Sequence, residues 1–453
     1  MKHTQLTVRN FTDLSGTVFA IMLVSVGAGA IDLLMIAPKG LDHVAAAGQG
    51  ELIVTAAFAF FIGLTDTFSS RLAMAEGQGT SAQRLPVLAG AFLLALVPAQ
   101  VLAVVVVLCV EPLLTLIHQD PALVPLVGDY TAIRIGAVCL ALVHVAVAES
   151  LKICGLKRVA MAAPVVGLGI NAMLNWLFLY TDLSRHFSSP ESAVTASTVG
   201  VQLVLAAGSL VVFLRQMRLR AESFERPDKG EMWAEFSSMV RTAPGIGVRH
   251  LNDWAGAVVP TLFIGTLGVE ALAATVVATK IYTVFCRVPQ SCVSGAFIFY
   301  SYAVGQDSPD LAKTARRLLV YIAVPTGLAA LLLAAAAYSL VDVFGSGEAD
   351  ARAALWVLLA FMLPLPFYVL SAGYGEMLTV HQRGGLMSVW STVTTYAIAI
   401  PLAWYAVSVW ESPALAIALA GLQTPILAYV FGRALRKDHW SPVIRPVPQS
   451  RTS

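Results

Sequence analysis

An apolar run of about 20 residues recurs twelve times along this 453-residue chain, and that repetition leaves few folds open. In hydrocarbon each backbone N–H and C=O must find its partner inside the segment, so a run of this length crosses a bilayer as a helix. The runs lie near 15–37, 51–74, 87–110, 127–150, 159–180, 192–214, 243–266, 271–300, 315–341, 352–379, 386–408 and 413–433. Only 12% of the residues are charged, against roughly 25% in a soluble domain, and mean hydropathy is +0.76. The sequence therefore predicts an all-α, polytopic membrane protein with twelve transmembrane helices, and excludes a soluble domain carrying one anchor.

Twelve spans place both termini on one side. Of the 29 Lys and Arg, four lie deep inside the runs (Arg134, Arg249, Lys280 and Arg287) and three at far-side loops or run ends (Lys39, Arg185 and Arg352). The other 22 sit on the side of the termini, which the positive-inside rule makes the cytoplasm. Losing one span would scramble this bias, so the charges also support the number twelve. The first run is long, holds Asp32 and precedes no small-residue cleavage site, so it is expected to remain as a span. A net charge of +2 gives no reason to expect a nucleic-acid partner. The five cysteines lie within or at the ends of apolar runs, without metal-type spacing, and read as small packing residues; no metal is expected.

The longest polar stretch between runs, RQMRLRAESFERPDKGEMWAEFSSMVR, begins at residue 215. It divides the chain into an N-terminal lobe (1–214), a cytoplasmic linker (215–242) and a C-terminal lobe with its tail (243–453). The halves share a register. Ala45-Ala46 and Gly77-Gln78 reappear as Ala273-Ala274 and Gly305-Gln306, both offset by 228 residues. Six helices return the chain to its starting side, so the repeats are parallel, related by a pseudo-two-fold axis along the membrane normal. Such repeats place a substrate cleft between them.

Acids in apolar helices are costly and mark ion or substrate sites by default. Asp32 lies in the outer half of the first run. The fifth run carries Asn171 and Asn175, spaced i,i+4 on one face, and the sixth carries Thr198. One carboxylate, two amides and a hydroxyl suit a proton or Na⁺; the plainer alternative is a hydrogen-bond network that only holds the lobe together. In the seventh run Arg249 and Asp253 are also i,i+4, with His250 and Asn252 beside them. A closed Arg249–Asp253 pair would leave a nearly neutral site suited to amphoteric or anionic substrates; an open one would leave Asp253 as a cation or proton site.

Lys280 and Arg287 share a face of the eighth run and are the deepest remaining cations, hence candidates for the substrate cleft. Arg134, Asp66, Glu149 and Glu376 read as snorkelling or interhelical pairing residues, and His144 and His381 as packing or loop residues. Phe58, Phe61, Tyr282, Phe285, Phe367 and Tyr368 read as lipid-facing or core aromatics, with a cleft wall as the alternative. There is no Walker A run, no Gly-rich nucleotide loop and no Ser/His/Asp arrangement, so neither ATP nor an enzymatic role is expected and an ion gradient is the implied energy source.

These residues resemble the MATE family, multidrug and toxic compound extrusion transporters, over about residues 14–435. The motifs are AIDLLMIAPKGLDHVAAAG and FFIGLTDTFSSRLAMAEGQG in the first half, Pro164 with Asn171 and Asn175, and LGVEALAATVVA with Val304-Gly305-Gln306 in the second. The resemblance implies a V-shaped pair of six-helix lobes exporting small organic molecules against inward H⁺ or Na⁺. It matches Asp32, Asn171, Asn175 and Thr198 to the family's N-lobe cation network. Asn175, where the archaeal-type branch has Asp, points to the NorM-type branch. The family's helix 7 acid falls at Asp253 counted back from Gly268, and at Asn252 counted from Pro244. The family's helix 10 acid falls at Tyr368, so a second C-lobe carboxylate is expected to be missing. Thr17 stands near a bending proline of some members.

The functional expectation is an H⁺- or Na⁺-coupled exporter of a drug, toxin or natural product. It would act as a monomer in a bacterial inner membrane, with Arg249, Asp253, Lys280, Arg287 and Tyr368 on the substrate side. The alternative is a flippase for a lipid-linked precursor or oligosaccharide.

Overall fold

The computed structural model describes residues 2–116, 119–220, 227–344 and 348–437, which hold helices and no strand. Twelve spans follow in order. The N-terminal lobe has α1 (Val8–Ile36), α2 (Leu41–Gln78), α3 (Ser81–Leu116), α4 (Leu123–Gly136 then Val138–Ile153), α5 (Lys157–Tyr180) and α6 (Pro190–Arg220). The C-terminal lobe has α7 (Lys229–Ile264), α8 (Val269–Gly305), α9 (Leu311–Phe344), α10 (Glu348–Met362 then Leu365–Val380), α11 (Gly384–Thr394, a π-turn at Thr395–Ala399, Ile400–Trp410) and α12 (Pro413–Ala420 then Gln423–Lys437). By length and apolarity alone nine of these cross a membrane, and the pairs bent by 49° in α4 and 41° in α10 bring the number to eleven. The twelfth, α7, is less apolar because Arg249, His250, Asn252 and Asp253 crowd its middle turns.

Several helices outrun the apolar segments that predict them. Hydropathy registers the part of a helix inside hydrocarbon, whereas α2, with 38 residues, extends about 57 Å and must project from a core of about 30 Å. Local caps set the ends in water. Thr7 accepts the Asn10 N–H at 3.1 Å to start α1, and Asp228 accepts the Glu231 N–H at 3.1 Å to start α7, inside the stretch read as linker.

The repeat is visible in the backbone. A short 3-10 turn at Ala37–Lys39 leads through Gly40 (φ 139°) into α2, and its counterpart at Gly265–Leu267 leads through Gly268 (φ 112°) into α8. Each pair again differs by 228 residues. Where the lobes meet, a Cβ on Gly77 would lie 2.5 Å from the Tyr302 carbonyl oxygen, and one on Gly305 2.1 Å from that of Met74. The same offset exchanges these two contacts.

The core has the form of a V. One continuous cluster joins both lobes on the side of the termini, running through Phe11, Leu14, Phe68 and Leu72 to Met239, Ile246, Phe297 and Tyr300. Towards the far side the lobes part: the N-lobe continues this cluster through Ile36, Val54 and Leu179 beside a small group at Ala46, Val110, Leu114 and Val127, while the C-lobe has its own cluster around Ile264, Ala278, Phe285 and Leu358. The cleft thus opens away from the termini. Polar clasps reinforce the closed end: Arg71 meets Glu235 and donates to Ser238 Oγ at 2.6 Å, while Arg84 bonds Glu231 at 3.0 Å and Glu235 at 2.7 Å.

Candidate functional site

Asp32 stands in the far half of α1, against α5 and α6. Its Oδ1 accepts the amides of Asn171 (2.8 Å) and Asn175 (2.6 Å), and its Oδ2 faces the Thr198 hydroxyl at 3.4 Å. The i,i+4 spacing puts both amides on one face of α5, where Asn171 and Asn175 are 3% and 0% exposed. Ser197, beside Thr198, donates to Asn171 Oδ1 at 3.3 Å and so turns that amide's N–H₂ toward Asp32. The structure thus brings together all four residues that the sequence placed here and adds Ser197. The buried Asn175 Oδ1 has no hydrogen-bond partner. A carboxylate with donors at hand and a spare carbonyl oxygen beside it is chemically able to exchange a proton or a small hard cation.

The second constellation lies lower in the V. Arg249 is buried (5% exposed) and donates to Glu376 Oε1 at 3.2 Å; its Nε lies 3.6 Å from Asp253 Oδ2. Glu376, read as a pairing residue, does pair between helices, and α10 thereby brings a carboxylate to Arg249 from another position than the family's acid. Tyr368 stands where the family's acid falls, but two turns on Glu376 reaches Arg249. Arg249 is therefore shared, and the Asp253 side chain remains 48% exposed. His250 Nε2 lies 2.8 Å from Asp66 Oδ2 of α2, a polar bridge between the lobes. Asn252 points elsewhere, donating to Ser391 Oγ (2.8 Å) and Thr392 Oγ1 (2.9 Å) in the turn before the π-segment of α11.

Of the other predicted cleft residues, Arg287 donates to Gln290 Oε1 at 2.9 Å, and Tyr368 is partly buried where the lobe-bridging and C-lobe clusters meet. Lys280 is exposed, on the face of α8 opposite Ala274 and Ala278. Tyr282 stacks on Phe361 at 4.7 Å and Phe285 is buried, so these two aromatics serve the lobe core. The Asp66–His250 bridge was not legible beforehand, since its partners are 184 residues apart on different lobes.

Two parallel six-helix repeats with a one-sided cleft and an intramembrane acid held by polar partners in each define a transporter of the two-lobe type. The MatE family model matches residues 17–177 and 247–405, one match per lobe, and the chain belongs to that family. It is 26% identical over 93% of its length to 92% of a probable multidrug resistance protein NorM of Rhizobium meliloti, and 26% identical over 73% to 71% of the NorM of Burkholderia vietnamiensis. Among solved structures it resembles the eukaryotic MATE transporter AtDTX14 (TM-score 0.78, 15% identity, 94% of each chain) and the bent form of the Vibrio cholerae MATE transporter VcmN (TM-score 0.78, 13% identity, 97% of this chain and 99% of that one). The protein is a multi-pass transporter of a multidrug efflux family, and not an enzyme.

Proposed function

We propose that this chain is a secondary antiporter that moves a small organic molecule out of the cytoplasm in exchange for H⁺ or Na⁺ bound at Asp32, Asn171, Asn175 and Thr198. It works as a monomer in a bacterial inner membrane with both termini cytoplasmic, so the cleft faces outward, and it uses no ATP. The observation that carries the proposal is the Asp32 carboxylate held by two buried amides next to the unpaired Asn175 carbonyl oxygen. An ion does work here only through its different affinity for the two faces of the cycle. Arg249, Asp253, Lys280, Arg287 and Tyr368 supply the substrate side. Three acids (Asp66, Asp253 and Glu376) surround Arg249 and His250, and Asp253 is half-exposed, which suits a cationic or amphoteric substrate.

The test is efflux from proteoliposomes under an imposed proton or sodium gradient. Asp32→Asn is nearly isosteric and should abolish gradient-driven export while thermal unfolding stays close to that of the parent. Full export by this variant under either gradient would overturn the proposal.

A further inference from the structure

The lobes meet backbone to backbone where the ends of α2 and α8 cross, and there the repeat is broken. Gly77-Gln78 and Gly305-Gln306 recur at the 228-residue offset, but the buried acid Glu76 has only Val304 as its counterpart. Gln78 stays within its own turn, its Oε1 accepting from Thr80 at 3.4 Å, whereas Gln306 Nε2 reaches out to Thr4 Oγ1 at 3.3 Å. Both departures, the added acid and the redirected amide, serve the short segment ahead of α1.

Residues 3–7 lie across that crossing and touch both lobes. On the N-lobe side His3 Nε2 lies 3.0 Å from Glu76 Oε1, and the other carboxylate oxygen accepts the Ser81 hydroxyl. The Glu76 side chain is 3% exposed, so His3 is one of the few groups that can reach it. The His3 ring also covers Gly155, where a Cβ would lie 3.3 Å away; φ of 78° at that turn between α4 and α5 favours glycine as well. On the C-lobe side the same ring stands edge-on to Tyr302, 6.3 Å between centroids, and buried Thr4 holds Gln306. Leu6 packs on the core cluster that joins the lobes. The Asn10 side chain donates to the Gln5 carbonyl oxygen at 2.9 Å and Thr7 caps α1, so the segment is fastened to the start of that helix.

We infer that residues 3–7 are a strap that locks the V on the side of the termini. Opening there separates the ends of α2 and α8, and the strap cannot keep both sets of partners. It is continuous with α1 and held by Glu76, so it travels with the N-lobe. The contacts that break are those of Thr4 with Gln306 and of His3 with Tyr302. The strap therefore opposes opening toward the cytoplasm and biases the resting molecule to the outward-facing form. The inference rests on the two-lobe fold alone, and loss of the proposed coupling role of Asp32 would leave it standing.

The test measures spin-label distances in the full-length protein in lipid nanodiscs, with its five cysteines replaced by alanine. Labels at Gln83 on α3 and Lys313 on α9, exposed positions of opposite lobes on the side of the termini, report opening. His3→Ala and Gln306→Ala should each raise the ratio of long to short distances about tenfold, the effect of losing one hydrogen bond at a charged or buried group. His3→Gln, which can still donate to Glu76, should stay near the parent, and this rescue separates a lost bond from a misfolded variant. A further label at exposed Gln5 follows the strap itself. In Gln306→Ala the distance from Gln5 to Lys313 should lengthen while that from Gln5 to Gln83 holds. Unchanged Gln83–Lys313 distances in both alanine variants would overturn the lock. A strap that stays with Lys313 and parts from Gln83 would overturn its assignment to the N-lobe.

Discussion

Arg249 holds its place because residue 375 is glycine. A Cβ there would sit 2.6 Å from the guanidinium carbon, so Gly375→Ala must push Arg249 off Glu376. Overpacking of this kind costs about 1–3 kcal/mol, and a matching fall in thermal stability in detergent is the expected result. The two acids on Arg249 are not equivalent. Glu376 is largely buried and makes the shorter contact; Asp253 is half-exposed at 3.6 Å. Breaking a buried pair costs about 3–5 kcal/mol, whereas an exposed one contributes about 0–1 kcal/mol. Glu376→Gln should therefore destabilise the protein more than Asp253→Asn, and Asp253→Asn should weaken substrate binding more. The reverse ranking in unfolding and binding titrations would show that Asp253 is the structural partner. The Asp32 network was legible in the sequence because two amides i,i+4 in an apolar helix have only one satisfactory place to point. The sharing of Arg249 was not, because a helix-face argument pairs it with Asp253 and says nothing about what α10 brings across.

At the scale of helices the repeat itself makes a prediction. Met74 with Gly77 on α2 and Tyr302 with Gly305 on α8 are exchanged by the 228-residue offset, and each glycine rests on the other helix's backbone. Gly77→Ala and Gly305→Ala should then act alike, separating α2 from α8 and loosening the closed end. A spin-label distance between the two helix ends should lengthen in both variants; lengthening in one alone would mean that the two contacts are not equivalent. The apolar runs revealed the helix number and order, because hydrocarbon thickness fixes run length. They did not reveal the bends in α4 and α10 or the π-turn in α11. The π-turn adjoins tertiary partners: Thr395 Oγ1 donates to Gln423 Oε1 at 3.0 Å, and Asn252 grips the turn before it. No local sequence pattern carries that information.

For the molecule as a whole, the closed end is held by charges that the N-lobe offers to the start of α7. Glu235 faces Arg71 and Arg84 together, and both side chains of the Arg71–Glu235 pair are mostly buried. The same end is tied by Tyr302, whose hydroxyl donates across the lobes to the carbonyl oxygen of Ile153. Cys154, next to that carbonyl and fully buried, is a native reporter of closure. Removing Glu235 leaves two arginines close to each other without their shared partner, so Glu235→Ala should shift the population toward a form open on the side of the termini. With Cys109, Cys139, Cys286 and Cys292 replaced by alanine, Cys154 should then react with a membrane-impermeant maleimide applied from that side. The rate should rise about tenfold, corresponding to a shift of ~1.4 kcal/mol, within the worth of a partly buried charge pair. Because Arg84 and Glu231 remain about one-third exposed, salt screens that part of the clasp, so raising ionic strength should speed the labelling of the parent protein modestly and less than the substitution does. A Cys154 rate untouched by both the substitution and salt would mean that packing of α2 on α7 and α8, and not charge, keeps the V closed at that end.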